Sequence, residues 1–497
     1  MSLDDVSYAS LKEQIKALLA GNRIDEATQV LERDLWPSAA PPEDKSRLLA
    51  AVLSQMPPDG AAPLLERLRA RGDADAVIDS NPKIMFRAAM ADYRSGLLKQ
   101  ALDRLDRGAR AGDLSPMAEA LRADILNRLG RTAEAVTAAI KALDNGLDRS
   151  SHIVRLARLL LREGRGREAA AHLEDALRRW PTDETLLKGV NRLLAPPALL
   201  APLYDVARAN FHEQALSDRA LEELLRLALQ MADDETVEKI FARIPSGASA
   251  LKPLGHDLPP LSTRLLDDLS RQVQTVARPG AVATLVVFPG LRNRFAGLPF
   301  HYADSLFEAL PVNLIYLRDV ANRCFLQGIS DLGEGQQETA AGIKRLAATL
   351  GAERLVMLGV SIGGFAALRY GALAGASAVL SFSGPTKLYS LIDKPSDAPA
   401  VFARWEMGEF GDRTRDVLPD VAASPAMRAI LVAGETNEED VRQARRLEAL
   451  PNVAIHLMSG VDVHAELPLA AVASGEFHIF LNEALGLDEA LGPLDRP

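Results

Sequence analysis

"RLVMLGVSIGGFAALRYGALAG", residues 354–375, changes period halfway along. Residues 354–360 are a continuous apolar run, the pattern of a strand buried on both faces, and residues 363–375 bring small and apolar side chains round at helical spacing. Between them stands Gly359-Val360-Ser361-Ile362-Gly363, a complete G-x-S-x-G at a strand-to-helix junction. A turn this sharp holds its serine in a strained backbone conformation above the sheet, and the flanking glycines let neighbouring backbone pass close by. Neither the glycine-rich dinucleotide fingerprint nor a Gly-Lys-Ser/Thr phosphate loop appears at a strand end, so no nucleotide cofactor is expected.

The same texture extends to both sides. Short apolar runs at "ATLVVFPG" (283–290), "VNLIYLRD" (312–319), "SAVLSFSG" (377–384), "RAILVAG" (428–434) and "NVAIHLMSG" (452–460) alternate with helical stretches such as "QQETAAGIKRLAATLG" (336–351). Continuous apolar strands alternating with helices predict a mostly parallel sheet covered by helices on both faces.

Upstream, the chain reads as helix after helix with an internal repeat. Gly96, Gly130 and Gly164 recur at intervals of 34 residues; alanines precede each by seven residues (Ala89, Ala123, Ala157) and follow by five (Ala101, Ala135, Ala169). A small residue stands twelve further on, at Gly108, Ala142 and Ala176. Glycine permits the tight turn of a helical hairpin, and alanines let the helices approach closely. The pattern resembles tetratricopeptide repeats over about residues 82–184, with Pro181 at the consensus proline site. The register continues faintly at Ala232, with Phe241 in its second helix, and "GNRIDEATQVLERDLWP" (21–37) reads as a further degenerate unit. Arrays of this kind present a concave face, so a partner protein or peptide is expected on it. The Pro, Gly and Ser of "IPSGASALKPLGHDLPPLSTR" (244–264) read as a linker.

A serine hydroxyl needs a histidine to take its proton and a carboxylate to orient that histidine. After a nucleophile elbow these follow in the order acid, then histidine. Three histidines lie downstream: His456 falls within a strand, His478 within the last helix, and His464 within the loop "SGVDVHAEL" after the last strand, where the base belongs. The acid is sought after "RAILVAG". The position three residues past Gly434 is Asn437, which carries no charge, and Asp440 is favoured over Glu438 and Glu435. The alternative for these carboxylates is simply to cap the following helix. An oxyanion hole needs two backbone donors, for which the candidates are the N–H groups of Ile362 and of Leu291, after Pro289-Gly290. Arg292, Arg294, Arg318 and Arg323 sit in strand-end loops and are candidates for binding an anionic acyl donor or acidic sugar.

With 57 Lys and Arg against 67 Asp and Glu, the formal charge of −10 and the absence of a basic run argue against nucleic acid. The one cysteine, Cys324, excludes an intrachain disulfide and a cysteine-based metal site, so no metal is expected and a reducing, cytoplasmic setting is. The acidic, polar start "MSLDDVSYAS" has no signal-peptide pattern, and no apolar run is long enough to span a membrane.

On these motifs residues 265–490 resemble the α/β-hydrolase fold. "VVFPGLRNR", "NLIYLRDVANRCFLQG", "MLGVSIGGFAALRYG" and "VLSFSGPT" look like hydrolase-like domains found with bacterial capsule and surface-polysaccharide functions, and "DVRQARRL" before His464 fits that group too. The expectation is a repeat domain over 1–245, a linker over 246–264 and an α/β-hydrolase domain over 265–497. The resemblance implies a serine esterase, deacylase or acyl transferase acting on a small acyl or glycan-linked substrate. The alternative is a catalytically idle scaffold.

Overall fold

The structure, a computed structural model, describes residues 8–38, 40–56, 61–70, 77–78, 81–94, 96–111, 114–213, 216–244, 259–320, 323–388 and 415–487. Most of the expected linker, residues 246–258, lies outside them. Contacts group the chain into two compact units, Met1–Ala176 and Leu177–Pro497.

The first unit is built from helical hairpins, among them Pro82–Arg94 with Leu98–Ala111, Pro116–Arg128 with Thr132–Asp144, and Ser150–Arg162 with the start of Gly166–Arg179. Each hairpin turns on its glycine. Gly96, Gly130 and Gly164 have φ of +77°, +75° and +73°, a left-handed conformation that disfavours a side chain. The residue after each closes the helix end: Leu97 N donates to Asp92 O at 2.8 Å, Arg131 N to Leu126 O at 2.9 Å and Arg165 N to Leu160 O at 2.8 Å. The alanines five residues past and seven before each turn are buried. Close packing also explains Gly108, where an added Cβ would lie 2.3 Å from Met85 Cε.

The same turn recurs where the sequence signal fades. Asn22 (φ +57°) is followed by Arg23 N donating to Leu18 O at 2.8 Å, and Ala232 (φ +56°) by Asp233 N donating to Ala228 O at 3.0 Å. Five residues on, Ala27 and Val237 are buried. Asparagine and alanine thus take the conformation that glycine takes in the regular units.

The second unit opens with the helices Glu184–Asn191, Pro197–Glu213, Asp218–Gln230 and Asp234–Arg243 and continues into a seven-stranded sheet. Its strands are β1 (Val273–Val276), β2 (Ala283–Phe288), β3 (Val312–Leu317), β6 (Leu355–Val360), β7 (Ala378–Phe382), β8 (Arg428–Gly434) and β9 (Val453–Met458); Gly328–Ile329 (β4) and Gly333–Glu334 (β5) form a separate small hairpin. The order is β1-β3-β2-β6-β7-β8-β9, and every pairing is parallel except β1 with β3. The helical array followed by this mostly parallel sheet is a repeat domain joined to an α/β-hydrolase sheet.

Alternation along the strands gives the sheet two apolar faces. Val286, Ile315, Met357, Val379 and Leu431 pack in one core with the helices Gly335–Thr349 and Ile362–Ala374. On the other face Phe382 stacks on Phe477 of the last helix, Glu476–Leu485, at 5.8 Å, and Phe300 stacks on Tyr316 at 4.6 Å.

Within this unit the helices before the sheet are tied to it by buried polar groups. Asp267 accepts from Gln230 Nε2 (3.2 Å) and Phe300 N (3.2 Å) and pairs with the buried Arg318. His301 bonds the carbonyl of Leu229 at 2.9 Å, Arg294 Nη1 donates to the carbonyl of Arg226 at 3.2 Å, and Tyr302 Oη donates to Asp234 at 2.6 Å. Burial lowers the pKa of His301.

Candidate active site

β6 ends at Val360, and the helix Ile362–Ala374 begins two residues later, so Ser361 alone makes the turn. Its φ and ψ are +53° and −126°, an unfavourable pair for a residue with a side chain. The turn is held from both sides: Ser361 N donates to Phe382 O of β7 at 2.8 Å, and Gly364 N to Ser361 O at 2.7 Å. The flanking glycines are sterically required. A Cβ on Gly359 would sit 2.1 Å from Gly363 O, and one on Gly363 would sit 2.2 Å from Phe288 O.

Ser361 Oγ lies 2.7 Å from His464 Nε2, and His464 Nδ1 lies 2.8 and 2.9 Å from the two carboxylate oxygens of Asp440. Since a carboxylate only accepts, Nδ1 carries the imidazole proton and Nε2 is left to accept from the serine hydroxyl. Burial opposes a charge on His464, but the hydrogen bond and charge of Asp440, with Glu466 and Glu439 nearby, outweigh it and raise the pKa. Asp440 is only 5% exposed, whereas the His464 side chain is 41% exposed.

The other carboxylates of the β8 loop do not reach the histidine. Glu435 accepts from Ser459 Oγ at 2.8 Å and Gly460 N at 3.1 Å, and Glu438 is exposed in the first turn of the helix Glu438–Arg445. Asn437 caps that helix, its Oδ1 accepting from Asp440 N at 3.1 Å. The cap thereby holds in place the residue that faces His464. His456 lies on β9, 3.2 Å from Glu483, and His478 on the last helix; neither lines the cavity around Ser361.

That cavity has a volume of about 560 Å³. Gly290, Leu291, Ile362 and His464 line it beside Ser361. Among the described residues, the N–H groups of Leu291 and Ile362 donate to no protein acceptor, so both donors are available to a ligand. Arg292 and Arg294 also line it, whereas Arg318 and Arg323 do not. Arg318 is 1% exposed and spent on Asp267, Gln274 and the carbonyls of Asp268 and Arg271, a purely structural cation. Two further lining residues, Glu222 and Arg226, come from the helix Asp218–Gln230. They escaped the sequence reading because they sit in an amphipathic repeat helix, where charges ordinarily face water.

Cys324 is buried and its thiol pKa is pushed well up by that burial, which leaves it unreactive. Among the described residues no three His, Cys, Asp or Glu side chains gather as a metal would require, and no helix is long and apolar enough to cross a membrane.

No family model and no curated protein matches the chain. Solved structures of two kinds are similar to parts of the chain. The MenH protein of S. aureus is 14% identical with a TM-score of 0.29, covering 43% of this chain and 98% of its own. Proline iminopeptidase of Mycobacterium smegmatis is 15% identical with a TM-score of 0.29, covering 44% and 96%. The C-terminal part of a tetratricopeptide-repeat protein from Cytophaga hutchinsonii is 12% identical with a TM-score of 0.35, covering 47% and 93%.

Proposed function

We propose that the chain is a serine hydrolase that works through an acyl-serine intermediate on a carboxylic ester or a related acyl donor. The observation that carries this reading is the hydrogen-bonded chain from Ser361 Oγ through His464 to Asp440, starting from a serine held at positive φ. Ser361 Oγ attacks the acyl carbonyl as its proton passes to His464 Nε2. Asp440 holds the ring and stabilises the imidazolium. The oxyanion is received by the N–H groups of Leu291 and Ile362. His464 then gives its proton to the departing alcohol, and water attacks the acyl-serine by the same route to release the acid and restore the serine. An acceptor alcohol in place of water would make the same site an acyl transferase.

The repeat helices of the first unit are proposed to dock a partner protein or peptide, and the acyl group is proposed to belong to a surface polysaccharide or its precursor, the latter on the sequence resemblance alone. The test of the catalytic reading is Ser361→Ala in the full chain, assayed on short para-nitrophenyl esters. It is expected to lose on the order of 10⁶ in turnover while melting no lower than the wild type. Unchanged hydrolysis would refute the reading.

A further inference from the structure

The cavity at Ser361 is electrically divided. The charges that bear on His464 are Asp440, Glu466 and Glu439; those that bear on Arg292 are led by Arg226, with Glu223, Arg192 and Glu222. The side of His464 therefore carries carboxylates, and the other side sets Arg226, Arg292 and Arg294 against Glu222 and Glu223. His464 must hand its proton to the leaving alcohol, so the alcohol departs on the carboxylate side, where an anionic leaving group is repelled. The acyl part is left the side of Leu291, Arg292 and Arg226.

Two guanidiniums there have donors to spare. Arg292 is exposed and, among the described residues, makes no ion pair or hydrogen bond with the protein. Arg226 has a side chain only 6% exposed; its Nη2 is held by Glu222, and its buried Nη1 forms an ion pair with Glu223 Oε1 at 3.4 Å but makes no hydrogen bond. A buried N–H left without a hydrogen bond is costly even beside an ion pair, and a ligand oxygen would satisfy it. Arg294, by contrast, is committed to the carbonyl of Arg226 and to Gln230 Oε1, and fixes Arg226 rather than binding a ligand. Glu222 and Glu223 offset two of the three charges of Arg226, Arg292 and Arg294, which leaves one positive charge for a monoanion and disfavours a dianion.

We propose that Arg226 and Arg292 form a carboxylate-recognition subsite, so that the acyl group transferred by Ser361 ends in a carboxylate, and that the helix Asp218–Gln230 thereby sets the specificity of the site. The assignment of the acyl side rests on the serine hydrolase reading; the anion subsite does not, and the test separates them. Binding of the unreactive monoamides succinamate, glutaramate and adipamate is measured by calorimetry on the full-length wild type and on Ser361→Ala. The controls are the neutral amides in which an isopropyl group replaces the carboxylate, and an alkyl phosphate dianion.

At least one monoamide is expected to bind both proteins at least tenfold more tightly than its neutral counterpart and than the dianion. That preference is expected to be lost in Arg292→Gln and Arg226→Gln, and largely restored in Arg292→Lys; a thermal melt checks each fold. If all monoamides bind no better than the neutral amides, if the dianion binds best, or if well-folded Arg292→Gln keeps the preference, the subsite is refuted. If the preference is present but the matching carboxylate esters are not hydrolysed, the subsite stands and the catalytic reading falls.

Discussion

Two kinds of left-handed turn occur in this molecule, and they are held for different reasons. At Gly96, Gly130 and Gly164 the turn joins two repeat helices, glycine adopts it without strain, and a Cβ there would touch nothing within 4 Å. At Ser361 the turn joins a strand to a helix, a side chain is carried into the strained conformation, and backbone packs against the glycines on both sides. In the first case sequence and backbone agree, as foldable sequences do throughout. In the second they conflict, and the conflict aims one hydroxyl at His464. Strain of this sort costs about 1–3 kcal/mol and persists only where the surroundings enforce it.

The largest effect that bears on this contrast is expected at the acid. Asp440→Asn leaves a side chain of the same shape beside His464 but cannot stabilise the imidazolium, so kcat/KM for a short ester should fall by roughly 10⁴. Because Asp440 raises the pKa of His464, the rate of the wild type should climb with pH around a midpoint above that of an ordinary histidine, about 6.5. In Asp440→Asn that midpoint should move down. Glu435→Gln and Glu438→Gln should behave as wild type, and a large loss in either would transfer the role of acid.

The next effect concerns what encloses the strained turn. A chain starting near residue 177 keeps the helix Asp218–Gln230, whereas one starting at 265 strips partners from Asp267, Arg294 and His301, each loss worth about 1–3 kcal/mol. The longer fragment should fold and hydrolyse esters, and the shorter should aggregate or melt far lower. A stable, active fragment from 265 would show that the helices add nothing to the hydrolase unit. His301 gives a pH signature to the same join. Its folded pKa lies below the unfolded value, so its contribution is present above about 6.5 and lost as pH falls below that; a melt of the longer fragment at descending pH reads it.

The smallest effects should have opposite signs at the two turns. Gly130→Ala puts a side chain into a left-handed turn with no packing to gain, and should lower stability by about 1 kcal/mol in denaturant titration. Ser361→Gly relieves strain and should raise stability by about 1 kcal/mol while abolishing hydrolysis. Equal signs would remove the distinction between a structural and a functional turn.

Much of this is legible in the sequence. Six of the seven strands of the large sheet stand out in the sequence as apolar runs, five of them buried along nearly their whole length and β9, at one edge, only partly; β1 does not, since its "VQTV" is short and lies at the antiparallel edge. The repeat register was legible wherever glycine marked the turn, and faint at Asn22 and Ala232, where another residue takes the same φ. Ser361 and His464 stood out by position in the motif and the loop. Asp440 is favoured there over Glu438 and Glu435 but not singled out, since which of them turns inward depends on the helix cap at Asn437. Arg226 is not legible in the sequence: its place at the cavity comes from packing of a repeat helix onto a loop 68 residues away in sequence.

Whether the strained serine is a nucleophile is decided by treating the native full-length protein with a fluorophosphonate and mapping the adduct by peptide mass spectrometry. One stoichiometric adduct is expected, on Ser361, which disappears when the protein is denatured first and forms far more slowly in Asp440→Asn. A folded protein that takes up no label, or takes it up on another residue, would contradict a nucleophilic Ser361.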